Sequence, residues 1–422
     1  MYFVAQGREK QLLSKQEDIE EMSKREVVFV EGMRTPFGRM GGTLRDITAE
    51  EMAGIGIKGL IEKTKIHEKA HVDSVFLGSA AHCSRAMNPA RWASLYAGLP
   101  YETSASYIEM QCGSGIDCIN HAAWKILANH ADIIIAGGME AYSQIPVKFS
   151  MSLAPYRLNP PMPLMTELSP IPEESIGMGF TAENLQVMYN IPREESDKFA
   201  LRSQVQARKA MDAGYFDDEI IPVSVPQGKK PPIEFKVDEH PRATTMEALS
   251  ALPPAFKKGG TVTAGNASGR NDGSAFVLMM TREKAKELGY EPMAKWLSGG
   301  DYGCDPRIMG IAPGYAMPQA INRAGLKLSD MSVMECNEAF AVQNLAVIKE
   351  IEKQTGEKVD LEGKWNPNGG AIAFGHPNGA SGPRVCMFTM RELIRRGDRY
   401  GIFGSCCGGG LGVATVIENL KR

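Results

Sequence analysis

Short, almost uninterrupted apolar runs recur along the chain, separated by stretches whose apolar positions fall three and four apart. VVFVEG (27–32), VDSVFLG (72–78) and ADIIIAGG (131–138) lie in the first third; MAKWLSGG (293–300), MSVMECN (331–337) and YGIFGSCCGGG (400–410) lie in the last. Continuous apolar runs fit strands covered on both faces, and their alternation with helical patterns predicts an α/β protein. The spacing also repeats. A CGSG turn (112–115) opens the helical stretch IDCINHAAWKIL before the strand at 132–136, and a GASG turn (379–382) opens PRVCMFTMRELI before a strand ending at Ser405. Such self-similarity predicts two copies of one βαβ-rich unit. Residues 142–270, rich in Pro and Met and carrying the amphipathic stretch EESDKFALRSQVQARKAM, belong to neither copy. The predicted organisation is an appended polar arm (1–24), an N-terminal half (25–141 and 271–291), an insertion (142–270) and a C-terminal half (292–422).

Composition narrows the function classes. At 422 residues the chain has ample core; 43% hydrophobic and 23% charged residues fit a soluble globular protein. A net charge of −3 gives no electrostatic footprint for nucleic acid or an anionic membrane. The apolar runs fall far short of the roughly 20 residues of a membrane span, and MYFVA is too soon followed by charges to be a signal peptide. The eight cysteines are scattered without a CxxC pair, which predicts free thiols in a reducing cytoplasm and no zinc site.

Three segments stand out chemically. GIFGSCCGGGLG (401–412) sets two adjacent cysteines against bare backbone. Neighbouring residues lie about 3.8 Å apart, too close for an ordinary disulfide, so either one thiol is chemical or both are small buried residues. Cys112, in EMQCGSGI, sits between a strand-like stretch and a helix. A thiol there faces the positive end of the helix dipole, which favours the thiolate, so it reads either as a nucleophile or as a buried structural residue. His376 lies in NPNGGAIAFGHPNGASG, where glycines permit close approach; it reads either as a chemical group or as the cap of a turn. If the halves pack about a pseudo-twofold axis, these three segments converge on one cleft.

The motifs EGMRTPFG, NPAR, QCGSG, AGGMEAYS, MGFTAEN, DEHPR, GGTVTAGNASGRNDG, MGIAPG, ECNEAFAVQ, NPNGGAIAFGHPNGASGPR and CCGGGLG, in this order from Arg25 to the C-terminus, resemble those of the thiolase family. The resemblance implies a five-layer αβαβα fold and a loop domain that binds CoA. It implies that Cys112 carries the acyl group, His376 activates it, and Cys406 moves the proton at the α-carbon, leaving Cys407 as packing. It further implies that Asn337 acts through a bound water and that the N–H groups of Cys112 and Gly408 hold an oxyanion. Ser268, Ala264, Phe256 and Phe340 are implied to line the pantetheine. CoA and acyl-CoA are then substrates, no cofactor is permanently bound, no metal is needed, and a homodimer or homotetramer is expected.

Five positions depart from the family pattern: Glu109 replaces Asn, Met87 Gln, Arg270 an aliphatic residue, Tyr315 Pro and Asn378 Ile. They leave the acyl substrate open, as the sequence leaves the direction of reaction. A decarboxylating condensing enzyme would pair its cysteine with a second histidine, and a hydroxymethylglutaryl-CoA synthase would use a glutamate where Cys406 stands. A catalytically silent thiolase-like scaffold would be expected to lose Cys112, His376 or Cys406, all of which are present.

Overall fold

The computed structural model describes residues 25–150, 161–164 and 166–422; the arm expected over 1–24 lies outside them. The large sheet runs, in spatial order, through Met331–Cys336, Tyr400–Cys407, Leu411–Asn419, Ala294–Gly303, Val27–Arg34, Asn271–Thr281, Ile133–Ala141, Ser74–Gly78 and Ser104–Ile108. Val27–Arg34 pairs along its length with Asn271–Thr281 but with Ala294–Gly303 only at Val28↔Lys295 and Phe29↔Ala294. That short seam joins two sheets of like topology. In each half the second strand lies parallel to the strand that follows the central helix, as in Ser74–Gly78 with Ile133–Ala141 and Met331–Cys336 with Tyr400–Cys407. Each half then continues through an antiparallel neighbour to its first strand.

Two helices, Ser114–Leu127 and Asn378–Arg396, form the middle layer. They share one apolar core with strands of both halves, including Ile116, Ile119, Val385, Met387, Val277 and Phe403. Ala49–Thr64 covers the outer face of the N-terminal half, and Pro313–Arg323 and Ala341–Thr355 cover that of the C-terminal half, which completes αβαβα. The expected GASG turn needs correction: Gly379–Gly382 lie inside a helix that starts at Asn378, and Gly115 is likewise helical. Their glycines serve a helix crossing. A Cβ on Gly115 would stand 2.3 Å from the Gly379 carbonyl oxygen, and one on Gly382 would stand 2.4 Å from the Ile116 nitrogen.

The segment between Ala141 and Asn271 contains helices Met178–Tyr189 and Arg193–Asp212 and a hairpin, Val223–Gln227 with Lys230–Phe235. It is tied to the first strand by the fully buried Arg34. That guanidinium donates to Glu219 at 2.6 Å and, in a fork, to both oxygens of Asp238 at 2.7 and 2.9 Å. Removing either carboxylate would leave the buried guanidinium with a single charged partner and unsatisfied N–H groups.

Candidate active site

Cys112 is presented by a constrained elbow. After Ser104–Ile108 the chain turns at Gln111, a non-glycine residue at φ +49°, into the short helical turn Gln111–Gly113 and then Ser114–Leu127. Holding such a residue in the left-handed region costs energy and needs fixed surroundings. The Gln111 main-chain N–H and side-chain amide both donate to Glu109, at 2.6 and 2.7 Å. Ser114 Oγ accepts from the Met110 N–H at 2.9 Å and donates to the Gln111 carbonyl at 2.6 Å. Cys112 is 9% exposed. Burial, together with the Glu140 and Glu109 carboxylates, pushes its thiol up to about 12, against the opposing pull of the Gly408 and Cys112 backbone N–H groups on the sulfur.

His376 arrives by a different route. Gly375, at φ +89°, turns the chain where a side chain would meet Asn271, whose Oδ1 accepts the His376 N–H at 3.1 Å. The ring lies between Ser381 Oγ, 2.6 Å from Nδ1, and Asn337 Nδ2, 3.2 Å from Nε2. Its tautomer follows from the neighbours. Arg384, which can only donate, bonds Asn337 Oδ1 at 3.2 Å and so turns the Asn337 NH2 toward Nε2. Ser381 Oγ donates to the Pro377 carbonyl at 3.2 Å and therefore accepts from Nδ1–H. The outcome is a neutral imidazole whose Nε2 carries no proton and accepts from the Asn337 amide. Burial and the Arg384 charge lower its pKa to about 3.

Strand alternation separates the two thiols of the glycine-rich segment. Cys406 faces a cluster with Phe340, Ala267, Met309 and Ile311, and burial with the neighbouring Cys112 and Cys336 thiols holds it well above the usual thiol range. Cys407 turns into the middle-layer core, where a Cβ on Gly113 would stand 2.5 Å from its sulfur. Asn337 follows Met331–Cys336 and is fixed by its N–H to the Gly404 carbonyl at 2.9 Å. That main-chain bond joins the ends of two adjacent strands and sets Asn337 close to Cys406 in the fold.

Of the residues expected along the pantetheine, Phe256 and Ser268 lie beside Phe340, and Ala264 is exposed at the surface. Phe256 and Phe340 stand edge to face with centroids 6.2 Å apart, the Ser268 N–H donates to the Ala339 carbonyl at 3.0 Å, and the exposed Ala264 offers its carbonyl to Arg242 at 2.8 Å. The structure therefore gathers Cys112, Cys406 and Gly408 at one point, Asn337 and His376 at a second, and the Phe340 group at a third. Among the described residues no hydrogen bond joins His376 to Cys112; the side chain that touches the sulfur is Asn378, through Nδ2 at 3.2 Å.

Of the unusual positions, Met87 is fully exposed and Tyr315 stacks on Tyr302 at 4.5 Å, whereas Glu109 and Asn378 adjoin the nucleophile. Sequence reasoning missed the supporting groups Ser381, Arg384, Asn271 and Glu140. Glu140 was the most findable: a carboxylate inside the fully buried strand Ile133–Ala141 demands partners. It accepts from Ser79 Oγ at 2.7 Å, the Ala80 and Ala81 N–H groups at 2.9 and 3.1 Å, and the Gly379 N–H at 3.2 Å.

Residues 27–283 match the family model "Thiolase, N-terminal domain" and residues 290–419 match "Thiolase, C-terminal domain". The chain is 43% identical over 401 residues to an acetyl-CoA acetyltransferase of Syntrophomonas wolfei, with 94% of this chain and 100% of the relative covered. It is 42% identical over 403 residues to a probable acetyl-CoA acyltransferase of Staphylococcus aureus, with 94% and 99% covered. Among solved structures it is similar to the Bacillus anthracis acetyl-CoA acetyltransferase (TM-score 0.86, 41% identity, 94% and 99% covered). It is also similar to human mitochondrial 3-ketoacyl-CoA thiolase in complex with CoA (TM-score 0.85, 40% identity, 94% and 98% covered). With both family domains matched in order, on a sheet pair of this topology, the chain belongs to the thiolase family of acyltransferases.

Proposed function

We propose that the protein cleaves a 3-oxoacyl-CoA with free CoA, giving acetyl-CoA and a shortened acyl-CoA, and runs the reverse Claisen condensation, through an acyl-enzyme on Cys112. The observation that carries this reading is the elbow that sets the Cys112 thiol at the start of Ser114–Leu127, where the backbone N–H groups of Gly408 and Cys112 favour its charged form. A carbonyl attacked by that sulfur brings its oxygen to the same two donors, as an oxyanion site requires. The unprotonated Nε2 of His376, released from the Asn337 amide, takes the thiol proton, and the thiolate adds to the 3-oxo carbon. The bond between the α- and β-carbons then breaks and its electron pair leaves as the acetyl-CoA enolate. Cys406 protonates the enolate carbon, while His376 and Asn337, the latter through a bound water, stabilise the enolate oxygen. The thiol of a second CoA gives its proton to the Cys406 thiolate and attacks the Cys112 thioester; the bond from carbon to the Cys112 sulfur breaks, that sulfur takes its proton back from His376, and the acyl-CoA leaves.

The CoA arm lies along Phe256, Ala264, Ser268 and Phe340, beside the cluster that contains Cys406; the edge-to-face aromatic pair supports this reading. CoA is a substrate, and no permanently bound cofactor enters the scheme. The working form is a homodimer or homotetramer in the cytoplasm. Ser104–Ile108 is the last strand of the sheet, directly before the Cys112 elbow, and such an edge suits pairing with a second copy. A fully active monomer in sedimentation experiments would contradict this assembly. Among the described residues no helix is long and apolar enough to cross a membrane.

The activity is tested by adding free CoA to the protein with acetoacetyl-CoA and longer 3-oxoacyl-CoAs and following their ultraviolet absorbance. CoA-dependent loss of at least one of them is expected, and Cys112→Ala should abolish it. Loss of none would overturn the proposal.

A further inference from the structure

Asn378 approaches the Cys112 sulfur more directly than the base does. It is the first residue of Asn378–Arg396, it is 8% exposed, and its Nδ2 lies 3.2 Å from Sγ. Its backbone is held on both sides. Pro377 precedes it with φ −73°, and the following Gly379 N–H is bound by Glu140 at 3.2 Å. A buried amide on so constrained a backbone has little freedom to turn away. A thiolate accepts such an N–H readily, and hydrogen bonds to charged groups are among the stronger ones in proteins. A neutral thioester sulfur accepts poorly, so the bond gains strength only when the sulfur carries charge.

We infer that Asn378 is a further catalytic residue, which stabilises negative charge on Cys112 Sγ before the sulfur attacks and again when it leaves the acyl-enzyme. This rests on the reading of Cys112 as nucleophile. In the second step the CoA thiolate adds to the thioester carbonyl, the bond from carbon to Cys112 sulfur breaks, and its electron pair on sulfur meets the Asn378 N–H. The other groups that bear on the charge of the sulfur are the Gly408 and Cys112 N–H donors, the Glu140 and Glu109 carboxylates, the Tyr142 phenol and the Cys406 and Cys407 thiols. The carboxylates oppose the charge, so a side-chain donor counts for more here than beside a solvated thiol.

The test is the pH dependence of Cys112 alkylation by iodoacetamide, read by peptide mass spectrometry. It needs no acyl substrate, so its result is separate from that of the thiolysis assay. Asn378→Leu, close in size but without a donor, should move the rate curve to higher pH by about one unit, an alkylation about tenfold slower at fixed neutral pH. Asn378→Asp, which cannot donate when ionised, should slow it at least as much, and Asn378→Ser, which restores a donor, should recover part of the rate. Buried Cys118 serves as the folding control, since its alkylation would betray an unfolded variant. If Asn378→Leu unfolds, the Asp and Ser variants decide the matter by their order. Folded Leu or Asp variants with the parent's curve would overturn the inference.

Discussion

The two halves share a strand order and a central helix, yet each delivers a different group at the helix start. In the N-terminal half a five-residue strand, Ser104–Ile108, leads through the Gln111 elbow directly to Cys112. In the C-terminal half the corresponding strand is reduced to the bridge Met334↔Trp365. The chain then travels through Ala371–Phe374 and Gly375 before presenting His376. The next connection differs in the opposite sense. After Ile133–Ala141 the N-terminal half inserts residues 142–270, while after Tyr400–Cys407 the C-terminal half turns back through Gly408–Gly410. The tight turn brings Gly408 back beside Gln111 of the Cys112 elbow, and the long excursion returns beside Phe340. Duplicated scaffolds thus supply one site with complementary parts: a sharp elbow for the nucleophile, a longer and more buried path for the base.

The largest effects should come from exchanging the chemical groups. His376→Asn removes the proton acceptor of the C-terminal half, and acylation of Cys112 should slow by about 10²–10⁴-fold in rapid-quench measurements. Acylation within tenfold of the parent would break the assignment of the base. The same range applies to Cys406→Ser, read as deuterium exchange at the α-carbon of acetyl-CoA. Cys407→Ala should change that exchange little, because its side chain faces the core. The reverse ranking would mean that the two thiols had been assigned the wrong way round.

A smaller effect tests the crossing that holds the halves together. Gly115→Ala would drive a Cβ to within 2.3 Å of a backbone oxygen on the opposing helix, and overpacking of this kind costs about 1–3 kcal/mol. Gly303→Ala, which meets nothing within 4 Å, is the control in chemical denaturation. Equal stabilities would remove the crossing from the account.

The apolar strands were legible because burial on both faces leaves them little but apolar residues, and the helix over 114–127 was legible from its periodicity. Cys112 was legible as a thiol between a strand and a glycine-flanked helix, but those residues alone left a nucleophile and a buried structural cysteine equally open. Other features depend on distant partners. Gly379 and Gly382 look like a turn until the opposing Gly115 and Ile116 are known. The role of Arg384 cannot be read from GASGPR, because its meaning lies in the amide of Asn337, far away in sequence. Asn378 stood out as an unusual residue, but its contact with Cys112 exists only after the helices cross.

At any one pH near neutrality the smallest predicted effect is an asymmetry in pH dependence. His376, with its pKa lowered to about 3, stays neutral in the folded state while the unfolded chain takes up a proton below about 6.5. The unfolded state then binds more protons, so this contribution to stability is present above that pH and is lost progressively as pH falls toward 3. Cys112 acts in the other direction: with its thiol pushed up to about 12, stability is lost as pH rises above the unfolded thiol value. Denaturation at several pH values should show His376→Asn flattening the acid limb and Cys112→Ala the alkaline limb. Each effect is bounded by about 1.4 kcal/mol per pH unit. Effects on the opposite limbs would contradict the protonation states derived for the two groups.

The central claim, that the N-terminal elbow carries the acyl group and the C-terminal half activates it, is tested most directly by peptide mass spectrometry after brief exposure to acetyl-CoA and acid quench. The account predicts one acetyl group, on Cys112, with none on Cys406 or Cys407, and a sharply reduced yield in His376→Asn at the same time point. An acetyl group on Cys406 instead, or undiminished labelling of Cys112 without His376, would contradict it.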